Sequence, residues 1–371
     1  MKKTICICGG GNIGHVIAGY LSLKENVDVS VLTSNPSLWS SQLLLKTPKQ
    51  DNIRCNLLKI SDNPNEVIPN ADIILLCLPN FAIEETLIKV KEYVNDAQLI
   101  GSVVSSGGFF WIAKNTLKNN PKLFGFQRVP FVSRTIEYGK YAELKGFKSV
   151  LKFSTTNNID SNNLSSLFSD LFDTPCKVLN HYLEATLTNS NPILHPARLY
   201  GLFHAWDSIT PYENPPLFYE GWNDYSSEIL ILCDEEFQKI VHKLPLGYAE
   251  IPSILDYYES TGITSLTKKM KSITAFKDIT TQMKVVDGGF IPDFEHRYFT
   301  EDVNFGLLII KYLGLLLNVE TPTIDTLIIW AQKHMNKSFL VDGQLTGNDI
   351  CETGIPSNYG IRTKNELLKL V

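Results

Sequence analysis

"CICGGGNIGHVIAG", residues 6–19, places Gly9, Gly11 and Gly14 in G-x-G-x-x-G spacing between an apolar strand-like run and a helical one. Each glycine has its own work. The first permits a tight turn, the second lets backbone approach a pyrophosphate, and the third lets the helix close on the strand. The helix N-terminus adds unpaired N–H groups and the positive end of its dipole. The spacing alone is a weak signal, but at the first strand of a β-α-β pattern it predicts a dinucleotide site. Gly9, Gly11, Asn12, Ile13 and Gly14 are the residues expected against the dinucleotide.

Working outward, "TICICG" (4–9), "VDVSVLT" (27–33), "ADIILLCLP" (71–79) and "AQLIGSVVS" (97–105) read as strands. The near-continuous apolar character of the first and third suits a parallel sheet covered on both faces. "IGHVIAGYLSLKE" and "AIEETLIKVKEYV" between them carry helical spacing. The alternation predicts an α/β fold with a doubly wound Rossmann-type parallel sheet. "FKSVLKFST" (147–155) reads as a late strand near the edge. From about residue 181 the pattern turns helical, in "HYLEATLTNSN", "YSSEILILCDEEFQKIVHKL", "SILDYYES" and "TEDVNFGLLIIKYLGLLLN", with few strand signals. The expectation is a dinucleotide-binding domain over 1–180, then a mostly all-helical substrate and catalytic domain over 181–371, packed closely around a cleft.

Composition bounds the function. The chain has 371 residues, 44% hydrophobic and 20% charged, an ordinary soluble balance with room for two domains at roughly 100–200 residues each. A net charge of -5 argues against nucleic-acid binding, which needs a basic face, and no like-charge block suggests a membrane surface. "FGLLIIKYLGLLLNV" (305–319) is interrupted by Lys311 and shorter than the roughly 20 residues of a membrane span. The seven cysteines form no C-x-x-C pair, and their odd number suits reduced thiols in a cytoplasmic protein. Cys6, Cys8 and Cys77 lie in strand-like runs, which favours core packing over metal ligation, so no metal is expected.

The end of the second strand bears on cofactor choice. An NAD site wants an acid there for the ribose 2′-hydroxyl, whereas this chain has Thr33, Ser34 and Asn35. Hydroxyl and amide side chains accept a 2′-phosphate without repelling it, so NADP(H) is favoured and NAD(H) stays open. Leu78 and Pro79, after the third strand, complete the expected cofactor contacts.

His195 in "NSNPILHPARLYG" stands between two prolines that restrict the backbone around it. Hydride transfer to a carbonyl or imine needs a proton donor that titrates near neutrality, and histidine is the usual one. Such a ring works best with a carboxylate fixing its tautomer. In "FEHRYFTEDVNFG" (294–306), Asp302 offers the carboxylate and Arg297 a bidentate clamp for a substrate carboxylate. The same stretch also reads as helix punctuation, with Thr300 as N-cap and Glu301 and Asp302 in the first turn.

Taken together, "CICGGGNIGH", "LHPARLYG", "PPLFYEGW", "VVDGGFIPDFEHRYFTEDV" and "FLVDGQLTGND" give the chain a nearly full-length resemblance to the opine dehydrogenases, the octopine dehydrogenases among them in particular. The resemblance implies a dinucleotide domain followed by an all-helical domain. It also implies an NADH- or NADPH-dependent joining of an amino acid to a 2-oxo acid. By it, His195 is the proton donor, Asp302 its partner and Arg297 the oxo-acid clamp. Ser106 stands where octopine dehydrogenases have a glutamine, and Gln127 and Arg128 where they have Glu-Thr. These are candidate substrate contacts, and without that carboxylate the resemblance does not extend to arginine as donor. Two other readings remain: a 2-hydroxy- or 3-hydroxy-acid dehydrogenase with no amine partner, and a non-catalytic NAD(P)-sensing protein. The sequence leaves the amino acid, the oxo acid and the oligomeric state open.

Overall fold

Apolar runs with no solvent face require strands that are covered on both sides. In the computed structural model, which describes residues 2–117, 120–247 and 250–370, these runs build an eight-stranded sheet. Its spatial order is Cys176–Val178, Leu151–Thr155, Lys122–Phe126, Leu99–Val103, Ile73–Leu76, Lys3–Cys8, Val27–Leu32 and Lys59–Ser61. Neighbours pair in parallel except Leu151–Thr155 against Lys122–Phe126. Chain order reverses beside Lys3–Cys8, so the topological switch point lies at the strand that feeds the glycine loop.

The helix Asn12–Ser22 follows that loop and is buried from Gly14 through Leu21. A helix apolar on all sides needs cover on all sides. The large sheet covers one face. The other meets a second sheet, in the order Ile53–Asn56, Gln42–Lys46, Tyr141–Phe147 and Phe131–Glu137. They pack so closely that a methyl at Gly19 would come within 3.2 Å of Leu43 Cδ2. Neither this sheet nor the strand Lys122–Phe126 is among those the sequence pattern announces. Phe131–Glu137 is largely exposed, and Lys122–Phe126 carries Gly125, so both lack the expected apolar run.

The chain divides into two compact units, Met1–Leu187 with Leu368–Val371, and Thr188–Leu367. The expected boundary at 180 falls short of the helix Tyr182–Thr186, which belongs to the first unit, where Gln127 Nε2 donates to the Glu184 carbonyl at 3.1 Å. The second unit is mostly helical, through Asn191–Phe203, Asp224–His242, Ile263–Ser272, Leu308–Leu317 and Pro322–His334. It also holds a hairpin, Met283–Val286 with Gly289–Pro292, around an Asp287-Gly288 turn, a recognised hairpin signal. Among the described residues no helix is long and apolar enough to cross a membrane.

Two buried carboxylates on Asp224–His242 brace this unit. Asp234 Oδ2 accepts from the Ile254 N–H at 2.8 Å, and Glu236 accepts from Thr323 and Ile324 at 2.7 and 3.0 Å. Each satisfies N–H groups that a helix start leaves unpaired. Burial pushes the Asp234 carboxyl up to about 6.

Candidate active site

In the first unit the glycines behave as their spacing predicts. Gly9 has φ +122°, and a Cβ there would lie 2.5 Å from the Cys77 carbonyl oxygen. A Cβ on Gly14 would lie 2.1 Å from the Gly9 carbonyl oxygen, so only glycine lets the helix close on the loop. The loop opens on a cleft of about 440 Å³ whose lining includes Gly9, Gly11, Thr33, Ser34, Leu78 and Pro79. A small-residue cradle at a helix N-terminus, with hydroxyls at the next strand's end, fits a nicotinamide dinucleotide.

Asn12, Ile13, Gly14 and Asn35 are not among the residues lining this cleft. Asn12 Oδ1 instead accepts from the Thr135 N–H at 2.8 Å, which ties the helix start to the strand Phe131–Glu137. Asn35 Nδ2 donates to Ser34 Oγ at 3.2 Å. Two residues that the sequence reading misses stand close by. Tyr138 lines the cleft, and His15 is fully buried behind it. His15 Nε2 accepts from the Gly139 N–H at 2.7 Å, so its Nδ1 carries the proton and donates to the Gly11 carbonyl at 2.9 Å. The ring stacks on Trp39 at 4.0 Å, and burial lowers its pKa, which keeps it neutral. His15 thus clamps the glycine loop to the turn that presents Tyr138. Its only sequence signal is its place beside the glycines.

Ser106 is buried in the loop after Leu99–Val103, where Val104 takes φ +94°, a region β-branched residues rarely occupy. Gln127 is also buried, and Arg128 is half-buried.

In the second unit the structure brings His195 and Asp302 together. His195 Nδ1 donates to Asp302 Oδ2 at 2.7 Å, and both side chains are almost fully buried. The prolines around His195 do not break the chain but sit inside the helix Asn191–Phe203. Pro192 lies in its first turn, where a missing N–H is harmless. Gly306 lets the Asp302 segment approach, since a Cβ there would lie 2.7 Å from Pro192.

The punctuation reading of the Asp302 segment is corrected. His296, not Thr300, caps the helix Arg297–Thr300, and its ring accepts from the Tyr298 N–H at 3.4 Å. Asp302 makes no side-chain cap but opens a π turn, Val303–Leu307, in which the Leu307 N–H reaches back to the Asp302 carbonyl at 2.8 Å. Its carboxylate is thereby released toward His195. Arg297 is mostly exposed, with Nη2 held by Glu301 at 2.6 Å. Tyr298 lies against the His195 ring at 4.2 Å between centroids.

The comparisons with known proteins reach both parts of the chain. A family model described as NAD/NADP octopine/nopaline dehydrogenase, alpha-helical domain, matches residues 178–335, and a ketopantoate reductase PanE/ApbA model matches residues 5–105. Octopine dehydrogenase of Mizuhopecten yessoensis is 31% identical, over 99% of this chain and 99% of its own. The chain belongs to the opine dehydrogenase family. A solved octopine dehydrogenase with NADH and L-arginine superimposes with a TM-score of 0.87 at 29% identity, over 99% of this chain and 98% of that one. The same enzyme with NADH and pyruvate gives 0.86, at the same identity and coverage. Membership makes this protein an NAD(P)-dependent oxidoreductase acting on CH–NH groups.

Proposed function

We propose that this opine dehydrogenase reductively condenses pyruvate or a related 2-oxo acid with an amino acid other than arginine, and that it prefers NADPH. The observation that carries the reading is the buried His195–Asp302 pair at 2.7 Å in the helical unit. Gly9, Gly11 and the start of the helix Asn12–Ser22 would hold the pyrophosphate. Leu78 and Pro79 would flank it, and Thr33 and Ser34 would meet the ribose, with Asn35 donating to Ser34 Oγ. The dinucleotide supplies the hydride when bound.

The residues of this chain handle the proton and the carboxylates. Asp302 holds the Nδ1 proton of His195, which aims Nε2 as the acid and stabilises the imidazolium. Nε2–H then protonates the oxo-acid oxygen as the amine attacks the carbonyl carbon. Arg297 commits one nitrogen to Glu301 and leaves the rest of its fork for the oxo-acid carboxylate. With Gln127 and Arg128 where a carboxylate would hold a guanidinium, the donor's side chain carries no positive charge. All seven cysteines are free and six are buried, which supports a cytoplasmic setting.

A screen of amino acids against pyruvate and other oxo acids, with NADPH and NADH in parallel, tests the reading. The expected result is amine-dependent oxidation of NADPH with a higher kcat/KM than for NADH, reversed toward NADH in Ser34→Asp. Oxo-acid reduction that is equally fast without amine would convict the enzyme as a hydroxy-acid dehydrogenase. Arginine as the best donor would sink the substrate assignment.

A further inference from the structure

The helix that carries His195 also carries Arg198 on the same face, three residues on, fully buried. Its Nε donates to the Phe218 carbonyl at 2.7 Å, Nη2 to the Leu217 carbonyl at 3.1 Å and Nη1 to Ser226 Oγ at 3.3 Å. The guanidinium also lies over the Trp222 ring at 5.5 Å. Among the described residues no carboxylate pairs with it. Burial lowers it to about 10, so it remains a cation at neutral pH.

A buried charge spent on two consecutive carbonyls fixes the backbone immediately before Tyr219. Gly221 makes room for this arrangement, because a Cβ there would lie 2.5 Å from the Leu217 carbonyl oxygen and 3.1 Å from Arg198 Nη2. Tyr219 is itself buried and stacked on Phe276 at 4.1 Å and on Trp222 at 6.3 Å. Its hydroxyl lies 3.3 Å from His195 Nε2, on the ring edge opposite Asp302.

We propose that the Tyr219 hydroxyl and His195 Nε2 form a two-donor seat for the carbonyl oxygen of the 2-oxo acid, with Arg198 as the positioning residue that holds Tyr219 in place. The proposal rests on the opine-forming reading above. When Nε2 carries no proton, the hydroxyl donates to it. Once Nε2 is protonated, the hydroxyl turns and both groups donate to an entering oxygen. Two donors 3.3 Å apart can each reach one oxygen at about 2.8 Å.

As the amine lone pair forms the C–N bond, the carbonyl π pair moves onto oxygen, and that oxygen takes the Nε2 proton. The tyrosine proton stays on Tyr219, which acts as donor only. Burial pushes the phenol well above its usual range, with Tyr298, Tyr258 and Asp302 nearby adding to the effect, so it does not ionise in the working range. Among the described residues, His296 also interacts electrostatically with His195 and Asp302.

Tyr219→Phe keeps the aromatic stack and removes the hydroxyl, so the melting temperature should stay near wild type. The expected loss in kcat/KM for pyruvate is on the order of 10²-fold, as for one donor of an oxyanion-binding pair. The basic limb of the pH profile should move to lower pH. The hydroxyl accepts a charge-assisted bond from imidazolium that is stronger than the one it gives the neutral ring.

Independently of turnover, the ¹⁵N shift of His195 Nε2 in the substrate-free protein should differ between wild type and Tyr219→Phe. Pyruvate added with oxidised nucleotide should perturb that signal in wild type and much less in the variant. An unchanged kcat/KM, an unchanged Nε2 shift, or a wild-type signal indifferent to pyruvate each overturns the seat. Absence of amine-dependent turnover in wild type would instead defeat the opine reading, and the two spectroscopic arms would still decide Tyr219.

Discussion

Around Gly9, Gly11 and Gly14 the protein makes room by leaving side chains out. Around His195 it fills the space with side chains drawn from three separate stretches. The glycine-loop cleft offers backbone N–H groups, a left-handed glycine and a helix start, all within a few residues of one another. The histidine site needs Asp302 on one ring nitrogen and Tyr219 on the other, with Arg198 holding the segment that carries Tyr219. A site of the first kind fails when an atom is added. A site of the second kind fails when one is taken away, and its members fail together.

The largest effect should come from taking away. His195→Ala should lower kcat by about 10²–10⁴-fold, the range of general acid–base assistance. Asp302→Asn should fall in the same direction with little change in melting temperature, since its side chain caps no helix. The double variant should be hardly worse than the worse single, because both serve one proton transfer. Additive losses would break the pair into independent residues.

Adding an atom gives the converse test. Gly14→Ala forces its methyl against the Gly9 carbonyl oxygen. It should weaken nucleotide binding and lower stability by about 1–3 kcal/mol, the usual cost of overpacking. Isothermal titration with NADPH and a melting curve read both. Unchanged affinity would mean that the cradle does not depend on the helix closing on the loop.

Arg297→Lys probes the periphery of the side-chain site. It should raise the oxo-acid KM roughly tenfold, equivalent to one charge-assisted bond of about 1.5 kcal/mol, and leave nucleotide affinity intact. A fall in nucleotide affinity instead would remove Arg297 from the substrate clamp.

The smallest effect concerns stability alone. Asp234 titrates near 6 when folded, above its ordinary value of 3.8, so the folded state binds the extra proton between those values. Stability should therefore decline as pH rises from about 4 to 6. Asp234→Asn, which can still accept from Ile254, should flatten that slope without changing kcat. A slope that persists in the variant would assign it to other groups.

What could be read from the sequence follows the same contrast. The glycine loop was legible because its signal is local: three residues in fixed spacing imply the turn, the helix and the ligand class together. His195 and Asp302 could be named only as residue types suited to the chemistry, because nothing in either stretch records that they meet. Tyr219 and Arg198 carried less signal still. A tyrosine in an apolar run and an arginine on a helix look like packing and surface until the backbone brings their polar ends inward. The second sheet was hidden for a further reason. Its strands Gln42–Lys46 and Phe131–Glu137 are short or polar on one face, and the pairing that joins its two hairpins, Gln42–Lys46 with Tyr141–Phe147, spans a long stretch of chain.

The π turn after Asp302 also sets the phase of the helix. In a regular α-helix each residue advances about 100° around the axis, so residues before and after any point are locked in angle. The wide turn Val303–Leu307, with Phe305 at φ −111° and ψ 17°, inserts a slip into that lock. The apolar helix Leu308–Leu317 can thus be chosen for its fit to the core, while Asp302 is aimed separately at His195. Deleting Phe305 would restore regular winding and swing Asp302 through roughly a quarter turn relative to the helix behind it. Such a variant would keep every residue named in the site and lose their alignment, which makes the single extra residue an angular adjustment between a core that must pack and a carboxylate that must point.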